Sequence, residues 1–419
     1  MDRTRARSAV VAPARMVRRL VDFLGPTDAA ARQSLTALAI NSLTSFAAGA
    51  VLVGVLDTFR SLPGVLVMIT PAIGLRGNVF TTLGNRLSTS IHTGSFRLTF
   101  RPEGVLFQNL LASFVLTTVM SSVLAVMAKV ISVVVGIQHT IGLLDLAFVS
   151  IAGGLLGSIP VAIATVLLTF GAVRYDWDLD NLVAPTVGAL GDALTVPALF
   201  LAATAVGKSA VVPTLGAVAM VVSAAVAVAA WRSRRELLAQ VVRESIPILT
   251  LALLLSALGG LVLQKQEATL ALLPAILLMQ PAFVSSAGAL GSILSGRVGT
   301  NLHLGNVDAT LVPGRVVRRD TSFLFGLAVP VFLLNAGGAT LFAWWQGDAA
   351  PGLGWVLLAT LISATLTMGF VVALSYYATI GAWRVEVDPD SSGVPIVTAS
   401  VDFVGTVLLV FCVVSLGLV

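Results

Sequence analysis

The sequence contains few of the residues that build metal clusters, disulfides and soluble surfaces. It has one cysteine, Cys412, and three histidines, His92, His139 and His303, in 419 residues. One cysteine excludes a disulfide framework and a cysteine-based metal cluster, and the scarcity of both residue types argues against a soft-metal site. Charged residues make up 11% of the chain, compared with about 25% in soluble domains. With 57% hydrophobic residues, the composition predicts a polytopic membrane protein.

Long apolar runs, close to the ~20 residues that cross a bilayer, predict eleven transmembrane helices. They lie at roughly 34–57, 61–92, 104–136, 142–172, 184–206, 210–231, 245–264, 269–303, 320–345, 353–381 and 394–417. Several runs exceed ~28 residues, which indicates tilt, a break, or an extension beyond the lipid. The predicted fold class is therefore an all-α polytopic membrane protein.

Basic residues are unevenly divided between the two ends of the predicted helices. With a cytoplasmic N-terminus, twenty of the 25 Lys and Arg residues fall on the cytoplasmic side. Only Arg60, Lys208 and Lys265 fall in exterior loops. The positive-inside rule then predicts a multi-pass protein of the cell membrane, with its N-terminus in the cytoplasm and its C-terminus outside.

The first 32 residues contain seven arginines and no long apolar run, which is not typical of a cleavable signal peptide. Between Met16 and Leu24 the apolar residues fall on one helical face and the charged residues on the other. This pattern is typical of a helix that lies on an anionic leaflet. An arginine-rich orientation signal with no further role explains the segment equally well.

The chain repeats itself at a nearly constant offset. The segment PAIGLRGNVFTTLGNRLSTSIHTG at 71–94 returns as PAFVSSAGALGSILSGRVGTNLHLG at 281–305. From Gly77 onward the offset is 211 residues, so that Thr89 corresponds to Thr300. Further along the chain, where the offset is 210 residues, Asp192 corresponds to Asp402. The order and spacing persist over about 180 residues in each half, which chance would rarely produce.

The repeat defines the predicted organisation of the chain. Residues 1–32 form a basic N-terminal segment, 33–207 a first five-helix repeat, 208–235 a linking transmembrane helix and 243–419 a second five-helix repeat. The linking helix has no counterpart, and it restores the orientation that a direct fusion of two five-helix units would invert. The two repeats are therefore expected to be parallel, related by an axis along the membrane normal.

Two acidic residues lie inside predicted spans at matching positions. Asp192 is seven residues beyond Pro185 and Asp402 is seven beyond Pro395, which places each roughly 10 Å into its helix. An intramembrane carboxylate is costly and usually faces a cavity or a partner. Two carboxylates at equal depth would repel, so either one is protonated or a cation lies between them. In the alternative, each aspartate hydrogen-bonds a neighbouring helix separately, but packing alone does not require the same acid in both halves.

Neutral oxygens and glycines accumulate near these acids. The glycines let helices approach closely, or they permit a break that exposes backbone carbonyls to a water-filled path. Oxygen donors without cysteine or histidine indicate a hard cation, and Mg²⁺ is one that keeps several of its waters. These residues indicate a hard divalent ion and do not by themselves name magnesium. The predicted metal site consists of Asp192, Asp402, Asn78, Thr82, Gly77, Gly288, Thr186 and Thr398.

Further acidic residues flank the cytoplasmic ends of the same two helices. They are Asp176, Asp178, Asp180, Glu386, Asp388 and Asp390. They could concentrate cations at the mouth of a path, or they could simply be favoured by the dipoles of the helix N-termini. Arg86 and Arg297 are expected to extend to the inner interface, with pairing to these acids as the alternative. His92 and His303 are expected to be interfacial rather than metal ligands.

These motifs resemble those of a known family. The stretch from Pro71 through GLRGN to RLST is similar to the second-helix signature of MgtE-type magnesium transporters, and more closely to that of their two-repeat relatives in solute carrier family 41. The segment from Pro185 to Asp192, repeated from Pro395 to Asp402, is similar to the fifth helix of that family.

The resemblance implies a function and a site. It implies that Asp192 and Asp402 line a central pore between the second and fifth helices of both halves, with Mg²⁺ as the main substrate. It also implies that one chain corresponds to a fused dimer and forms a complete pore as a monomer. Two features depart from the family pattern: Ala289 replaces Asn78 in the second half, and the large cytosolic magnesium-sensing region of MgtE is absent.

Three functions are consistent with these patterns. The first is transport of divalent cations, most of all Mg²⁺, and the second is divalent-cation exchange driven by Na⁺ or H⁺. The third is a membrane receptor or scaffold that transports nothing. No nucleophile–base set and no cofactor motif appears in the sequence, so enzymatic activity, a cofactor and a nucleic-acid partner are not expected. The expected partners are the cation and the lipid bilayer.

Overall fold

The computed structural model describes residues 28–62, 64–136, 140–175, 177, 179–265, 274–346 and 352–416. Within these ranges the chain forms eleven α-helices and no β-strand. Eight of the helices are long and apolar enough to cross a membrane, which confirms the predicted all-α polytopic class. The helices are α1 (Asp28–Arg60), α2 (Val65–His92), α3 (Val105–Val134), α4 (Leu143–Tyr175), α5 (Leu179–Ala203), α6 (Val211–Trp231), α7 (Glu236–Lys265), α8 (Pro274–His303), α9 (Arg315–Gln346), α10 (Leu353–Arg384) and α11 (Pro389–Ser415). The amphipathic helix expected near Met16–Leu24 lies outside the described residues.

The first helix of each half packs into the opposite half. Helix α1 contacts α5, and it also contacts α8 and α9. Helix α7 shows the matching pattern, because it contacts α11 and also α2 and α3. The apolar cores follow this exchange: Leu38 of α1 belongs to the core of α8–α11, whereas Leu249 and Leu253 of α7 belong to the core of α2–α5. Because lipid tails are as apolar as these side chains, the exchange holds the halves together through van der Waals packing and hydrogen bonds between helices.

Helices α2 and α8 occupy the centre of the bundle. Every residue in 81–90 of α2 and in 289–300 of α8 is buried. Each of the two helices contacts the fifth helix of both halves, α5 and α11. Helix α6 is at the periphery, with 17% of its apolar window buried inside the protein. An apolar helix with so little protein contact presents its surface to lipid.

Small residues permit close packing of α2 on α5 and of α8 on α11, but they come from different helices. In the first half Gly84 of α2 faces Val183 of α5, and a Cβ atom on Gly84 would overlap that valine. At the equivalent positions Ser295 of α8 faces Gly393 of α11, where a Cβ atom would overlap the serine. The glycine therefore lies on α2 in the first half and on α11 in the second half, and in both halves the two helices approach closely.

Arg86 and Arg297 are buried, so the expectation that they extend to the interface is wrong. They are 6% and 9% exposed. Arg86 Nε donates a 2.7 Å hydrogen bond to Asn109 Oδ1 of α3, and Arg297 Nη1 donates a 2.7 Å bond to Asp320 Oδ1 of α9. The reason is that the adjacent helix supplies a polar acceptor at the same height, so each guanidinium has a hydrogen-bond partner inside the protein. Asn109 and Asp320 are themselves 211 residues apart.

Arg86 and Arg297 occupy equivalent positions but bond to different acceptors, Asn109 and Asp320, so the first pair serves as a reference for a stability prediction on the second. Asp320→Asn recreates the Arg–Asn pair of the first half, and we expect it to cost less than about 1 kcal/mol. Asp320→Ala removes the carboxylate partner of a buried guanidinium, and we expect it to cost about 3 kcal/mol or more. Thermal unfolding of the purified protein in detergent measures both. Equal destabilisation by the two variants would show that the negative charge of Asp320, and not a hydrogen-bond acceptor alone, stabilises Arg297 here.

Candidate functional site

A cavity of about 200 Å³ lies at the centre of the bundle. It is lined by α1, α2 and α5 from the first half and by α7, α8 and α11 from the second. Several lining residues form pairs that are 210 or 211 residues apart: Gly77 with Gly288, Thr81 with Ser292, and Asp192 with Asp402. The cavity is therefore bounded by equivalent surfaces of the two repeats.

Asp192 of α5 is held by hydroxyl groups from two other helices. Ser45 Oγ of α1 donates to Asp192 Oδ2 at 2.7 Å, and Ser285 Oγ of α8 donates to the same oxygen at 2.9 Å. Behind Ser285, Asn41 Nδ2 donates to the serine oxygen at 3.2 Å. Hydrogen bonds to a charged group are stronger than neutral ones, so this relay fixes the carboxylate at the cavity wall. Ser285 and Asn41 also connect the two halves of the chain.

Asp402 of α11 has the equivalent bond to its own first helix. Ser256 Oγ of α7 donates to Asp402 Oδ2 at 2.5 Å, and Ser256 is 211 residues after Ser45. The space facing this carboxylate is bounded by Gly74 of α2, where a Cβ atom would lie 3.2 Å from Asp402 Oδ2. Among the described residues, Asp402 thus has one hydroxyl donor where Asp192 has two. The two acids are related by the repeat and differ in their surroundings.

The walls beside the acids also differ between halves. Thr398 Oγ1 of α11 donates to Asn78 Oδ1 of α2, across the boundary between the repeats. The equivalent of Asn78 is Ala289, and the position 210 residues before Thr398 is Gly188; both also line the cavity. One wall therefore presents a carboxamide and a hydroxyl, and the opposite wall presents an alanine and a glycine.

The cavity collects six of the eight residues predicted for the metal site. Asp192, Asp402, Asn78, Gly77, Gly288 and Thr398 line it. Thr82 is buried and Thr186 is half-buried, but neither lines the cavity. Helical geometry explains the difference, since Thr82 is turned about 100° from the lining residue Thr81, and Thr186 about 200° from Gly188.

Sequence reasoning missed the groups that hold the carboxylates in place: Ser45, Ser256, Ser285 and Asn41. Ser45 and Ser256 could have been found, since they share the offset of 211 residues and lie thirteen positions beyond the matching RQSL and RESI starts. Ser285 and Asn41 have no counterpart that signals them. Their role depends on how α1 packs against α8, and no local pattern in the sequence encodes that contact.

Helices α2 and α8 contact each other beyond the cavity, toward their C-terminal ends. One turn beyond Thr81 and Ser292, Asn85 packs on Gly296, where a Cβ atom would lie 2.8 Å from Asn85 Nδ2. One turn further, the hydroxyls of Thr89 and Thr300 are 3.3 Å apart. Both contacts join residues exactly one repeat offset apart. Such self-equivalent contacts lie on the axis that relates the repeats, so α2 and α8 close the bundle at its centre.

The acidic residues expected at the mouth are only partly described. Asp176 and Asp178 lie outside the described residues, and the side chains of Asp180 and Asp390 are not described either. Glu386 is exposed, and Asp388 Oδ1 lies 3.7 Å from His303 Nε2. The Asp388 backbone N–H donates to Glu244 Oε2 at 3.1 Å. Their role at a mouth stays a prediction.

The donor set of the cavity suits a hard cation. Its charged side chains are two carboxylates, and its neutral polar side chains carry hydroxyl and amide oxygens. In the described part of the chain, no cluster of three or more His, Cys, Asp or Glu side chains is placed to hold a metal directly. Six waters occupy about 180 Å³ in the liquid, so the cavity has room for a cation that keeps its hydration shell.

The chain matches a family model described as a divalent cation transporter, MgtE, over residues 69–202 and 280–412. The two matched stretches contain α2–α5 and α8–α11 almost in full. Each therefore includes one of the two cavity aspartates. Together they cover more than half of the chain.

Curated relatives span both halves. The chain is 25% identical over 381 residues to solute carrier family 41 member 2 of Xenopus laevis, which covers 84% of this chain and 65% of that protein. It is 23% identical to solute carrier family 41 member 3 of Mus musculus, in an alignment that covers 84% of this chain and 75% of that protein. It is also 23% identical to member 2 of Homo sapiens, in an alignment that covers 84% of this chain and 64% of that protein. Among solved structures, a eukaryotic MATE transporter, AtDTX14, aligns with a TM-score of 0.38 at 13% identity, over 94% of this chain and 96% of that one; this score does not establish a common fold.

Proposed function

Because the chain belongs to the MgtE family of divalent cation transporters, we propose that it carries Mg²⁺ across the membrane through the central cavity, with Asp192 and Asp402 as its ion-binding carboxylates. The observation that carries the proposal is that both acids line one cavity between the repeats. Two carboxylates that share a cavity stabilise a doubly charged ion and destabilise each other without one.

The coordination proposed for the ion is largely indirect. Asp192 and Asp402 use part of their acceptor capacity on Ser45, Ser285 and Ser256. The cavity volume leaves space for water between the carboxylates and an ion. Mg²⁺ dehydrates reluctantly and is commonly bound through its waters, so we propose that hydrated Mg²⁺ is favoured over ions that require a complete set of protein ligands.

A single chain contains all parts of the proposed path. The cavity is formed by three helices from each repeat of the same polypeptide, and both acids come from that polypeptide. We therefore propose that one chain is sufficient for transport. The purified protein in liposomes at one copy or fewer per vesicle should retain flux in proportion to the number of occupied vesicles.

The distribution of arginines supports an orientation with the N-terminus in the cytoplasm and the C-terminus outside. Arg97, Arg101 and Arg174 follow the C-terminal ends of α2 and α4 or lie close to them. We therefore propose that the closed end of α2 and α8 faces the cytoplasm. Alkaline phosphatase, which is active only outside the cytoplasm, should be active when fused after Val419. An inactive fusion, with an active fusion in the 232–235 loop, would reverse the orientation.

Ion flux from the purified protein tests the function. We expect Mg²⁺ influx into liposomes under a Mg²⁺ gradient alone, because the two-acid cavity needs no second ion to balance a divalent charge. Flux that appears only with an imposed Na⁺ or proton gradient would identify an exchanger. Absence of flux under every gradient, from protein that is folded by its melting curve, would favour a receptor or scaffold.

A further inference from the structure

Two adjacent polar contacts join α1 to α8 beside the central cavity. Asn41 Nδ2 of α1 donates to Ser285 Oγ of α8 at 3.2 Å, and the hydroxyls of Ser42 and Ser286 are 3.3 Å apart. Asn41, Ser42 and Ser286 are fully buried. Hydrogen bonds between helices hold them together in a membrane, and they are directional. These two contacts therefore fix the rotation of α8 against α1.

Asn335 of α9 bonds to the same part of α8. Its Nδ2 donates to Ser286 Oγ at 3.0 Å and to the backbone oxygen of Ala282 at 3.2 Å. Asn335 is fully buried and does not line the central cavity. Ser286 is thus held by α9 and contacts α1 at the same time, so α8 is fixed between its two neighbours.

The other end of this amide has no partner. Asn335 Oδ1 is buried, and no described residue donates to it. A buried oxygen without a donor is destabilising, and an apolar side chain at this position would avoid that cost. Packing alone therefore does not account for an amide here, whereas the bonds made by Asn335 Nδ2 do.

The equivalent contact in the first half is apolar. In the order Asn41, Ser42, Ser285, Ser286 and Asn335, the residues one repeat offset away are Ala252, Leu253, Gly74, Leu75 and Leu124. The three leucines are buried in the core of α2–α5, and α7 packs on α2 and α3 there as α1 packs on α8 and α9. The helix arrangement therefore forms without any of the five polar groups, so these groups have a role that packing does not require.

The polar contacts lead to one of the two cavity acids. Ser285, next to Ser286 in the chain, donates to Asp192 Oδ2 at 2.9 Å. Side chains of consecutive helical residues point about 100° apart, so a rotation of α8 about its own axis would withdraw Ser285 from the carboxylate. By holding Ser286, Asn335 opposes that rotation. Asp402 has no such support, because Gly74 stands at the position equivalent to Ser285.

We propose that Asn335 is a positioning residue of the cation site, which holds α8 so that Ser285 stays bonded to Asp192. The inference rests on the proposed function, because its effect is exerted on an ion-binding carboxylate. A hydroxyl donor stabilises the charged form of a buried carboxylate, and a preformed site binds its ligand without the cost of ordering it. The Asp192 side of the cavity is thus preformed by a residue that does not touch the ion.

Asn335→Leu in the full-length protein introduces the leucine of the first half and tests the proposal. We expect the Mg²⁺ concentration at half-maximal influx into liposomes to rise about tenfold, as for loss of a hydrogen bond to a charged group. Maximal influx should stay at the wild-type level, since the acids and the path are unchanged. Ser286→Ala removes the acceptor of Asn335 with a smaller change of volume, and it should give the same rise if the leucine prevents folding.

Thr379→Val is the matched control. The Thr379 hydroxyl is 2.9 Å from that of Ser295 of α8, so this variant also removes a buried hydrogen bond between α8 and a neighbouring helix. That bond does not lead to Asp192, and the half-maximal concentration should stay at the wild-type value. A tenfold rise in this variant would show that any lost bond of α8 weakens the site, and it would overturn the role assigned to Asn335.

Double variants test whether Asn335 acts through Ser285. Asn335→Leu should add nothing to the effect of Ser285→Ala, whereas it should multiply the effect of Ser256→Ala at the other acid. Two results would each overturn the proposal. One is a wild-type half-maximal concentration in both Asn335→Leu and Ser286→Ala, and the other is a further tenfold rise when Asn335→Leu is added to Ser285→Ala.

The structures of Asn335→Leu and Ser286→Ala give a measurement that does not depend on transport. We expect Ser285 Oγ to lie beyond hydrogen-bond distance of Asp192 Oδ2 in both. Retention of the 2.9 Å bond in both variants would overturn the positioning role whatever ion the protein carries. Absence of Mg²⁺ influx in the wild type, with Ser285 displaced in the variants, would instead contradict the proposed function alone.

Discussion

Asp192→Asn and Asp402→Asn are each expected to reduce Mg²⁺ uptake about 30-fold or more in a strain that depends on the protein for magnesium. Removing one charge from a desolvated charge pair costs about 2 kcal/mol or more, which corresponds to about 30-fold in binding. The amide keeps the volume of the carboxyl group and an oxygen that accepts from Ser45 or Ser256. The loss would therefore report the charge rather than the packing. Uptake of ²⁸Mg or growth at limiting magnesium measures the effect.

Asp308→Asn is the matched control for these variants. Asp308 is exposed in the connection between α8 and α9, away from the central cavity. The same change of acid to amide there should leave uptake at the wild-type level. Wild-type uptake by both Asp192→Asn and Asp402→Asn, at equal expression, would remove the two-carboxylate site from the account.

A disulfide between the ends of α2 and α8 is expected to abolish uptake reversibly. The hydroxyls of Thr89 and Thr300 are 3.3 Å apart on the axis between the repeats, which places two cysteines there within bonding reach. An ion that leaves the cavity along this axis must separate the two helices at Asn85–Gly296 and Thr89–Thr300. Thr89→Cys/Thr300→Cys in a Cys412→Ala background should lose at least about nine-tenths of its uptake on oxidation and regain it with a reductant.

Ser295→Cys/Thr379→Cys is the control for cross-linking. The two hydroxyls are 2.9 Å apart between α8 and α10 of the same repeat. This disulfide should form under the same oxidant without loss of uptake, because it does not join the halves. If the Thr89–Thr300 disulfide forms completely and uptake continues, the ion does not pass along the axis between α2 and α8.

The sequence was sufficient to locate the two acids and the symmetry that relates them. The offset that pairs Asp192 with Asp402 is visible without coordinates, and charge inside an apolar span is itself a strong signal. Thr89 and Thr300 were paired by the same offset. If α2 and α8 lie at the centre of the bundle, the symmetry of the repeat implies that these two threonines meet on the axis.

Other features depended on tertiary contacts that no local pattern encodes. Arg86 and Arg297 were expected at the interface because long basic side chains usually reach it, but Asn109 and Asp320 accept hydrogen bonds from them inside the protein. The exchange of α1 and α7 between halves determines which serines reach the aspartates. Thr82 shares the chemistry of the lining residues and misses the cavity by a single helical position. In these cases the sequence predicted the type of residue involved, but not which neighbour its side chain contacts.

The two repeats share the same architecture but differ in the side chains at several equivalent positions. Ser285 and Asn41 reinforce Asp192, whereas Gly74 lies in front of Asp402. Asn78 is paired with Thr398 on one wall, and Ala289 stands at the matching position of the other. Arg76 has Ala287 as its counterpart. Fusion of two units into one chain allows each wall to change separately, which a symmetric pair of identical chains does not permit.

Mg²⁺ flux through the purified protein, compared between the wild type and the Asp192→Asn/Asp402→Asn double variant in the same liposomes, tests the central claim most directly. The account predicts saturable Mg²⁺ influx for the wild type and influx at the level of empty liposomes for the double variant, with both proteins showing the same melting profile. Wild-type influx through the folded double variant would contradict it.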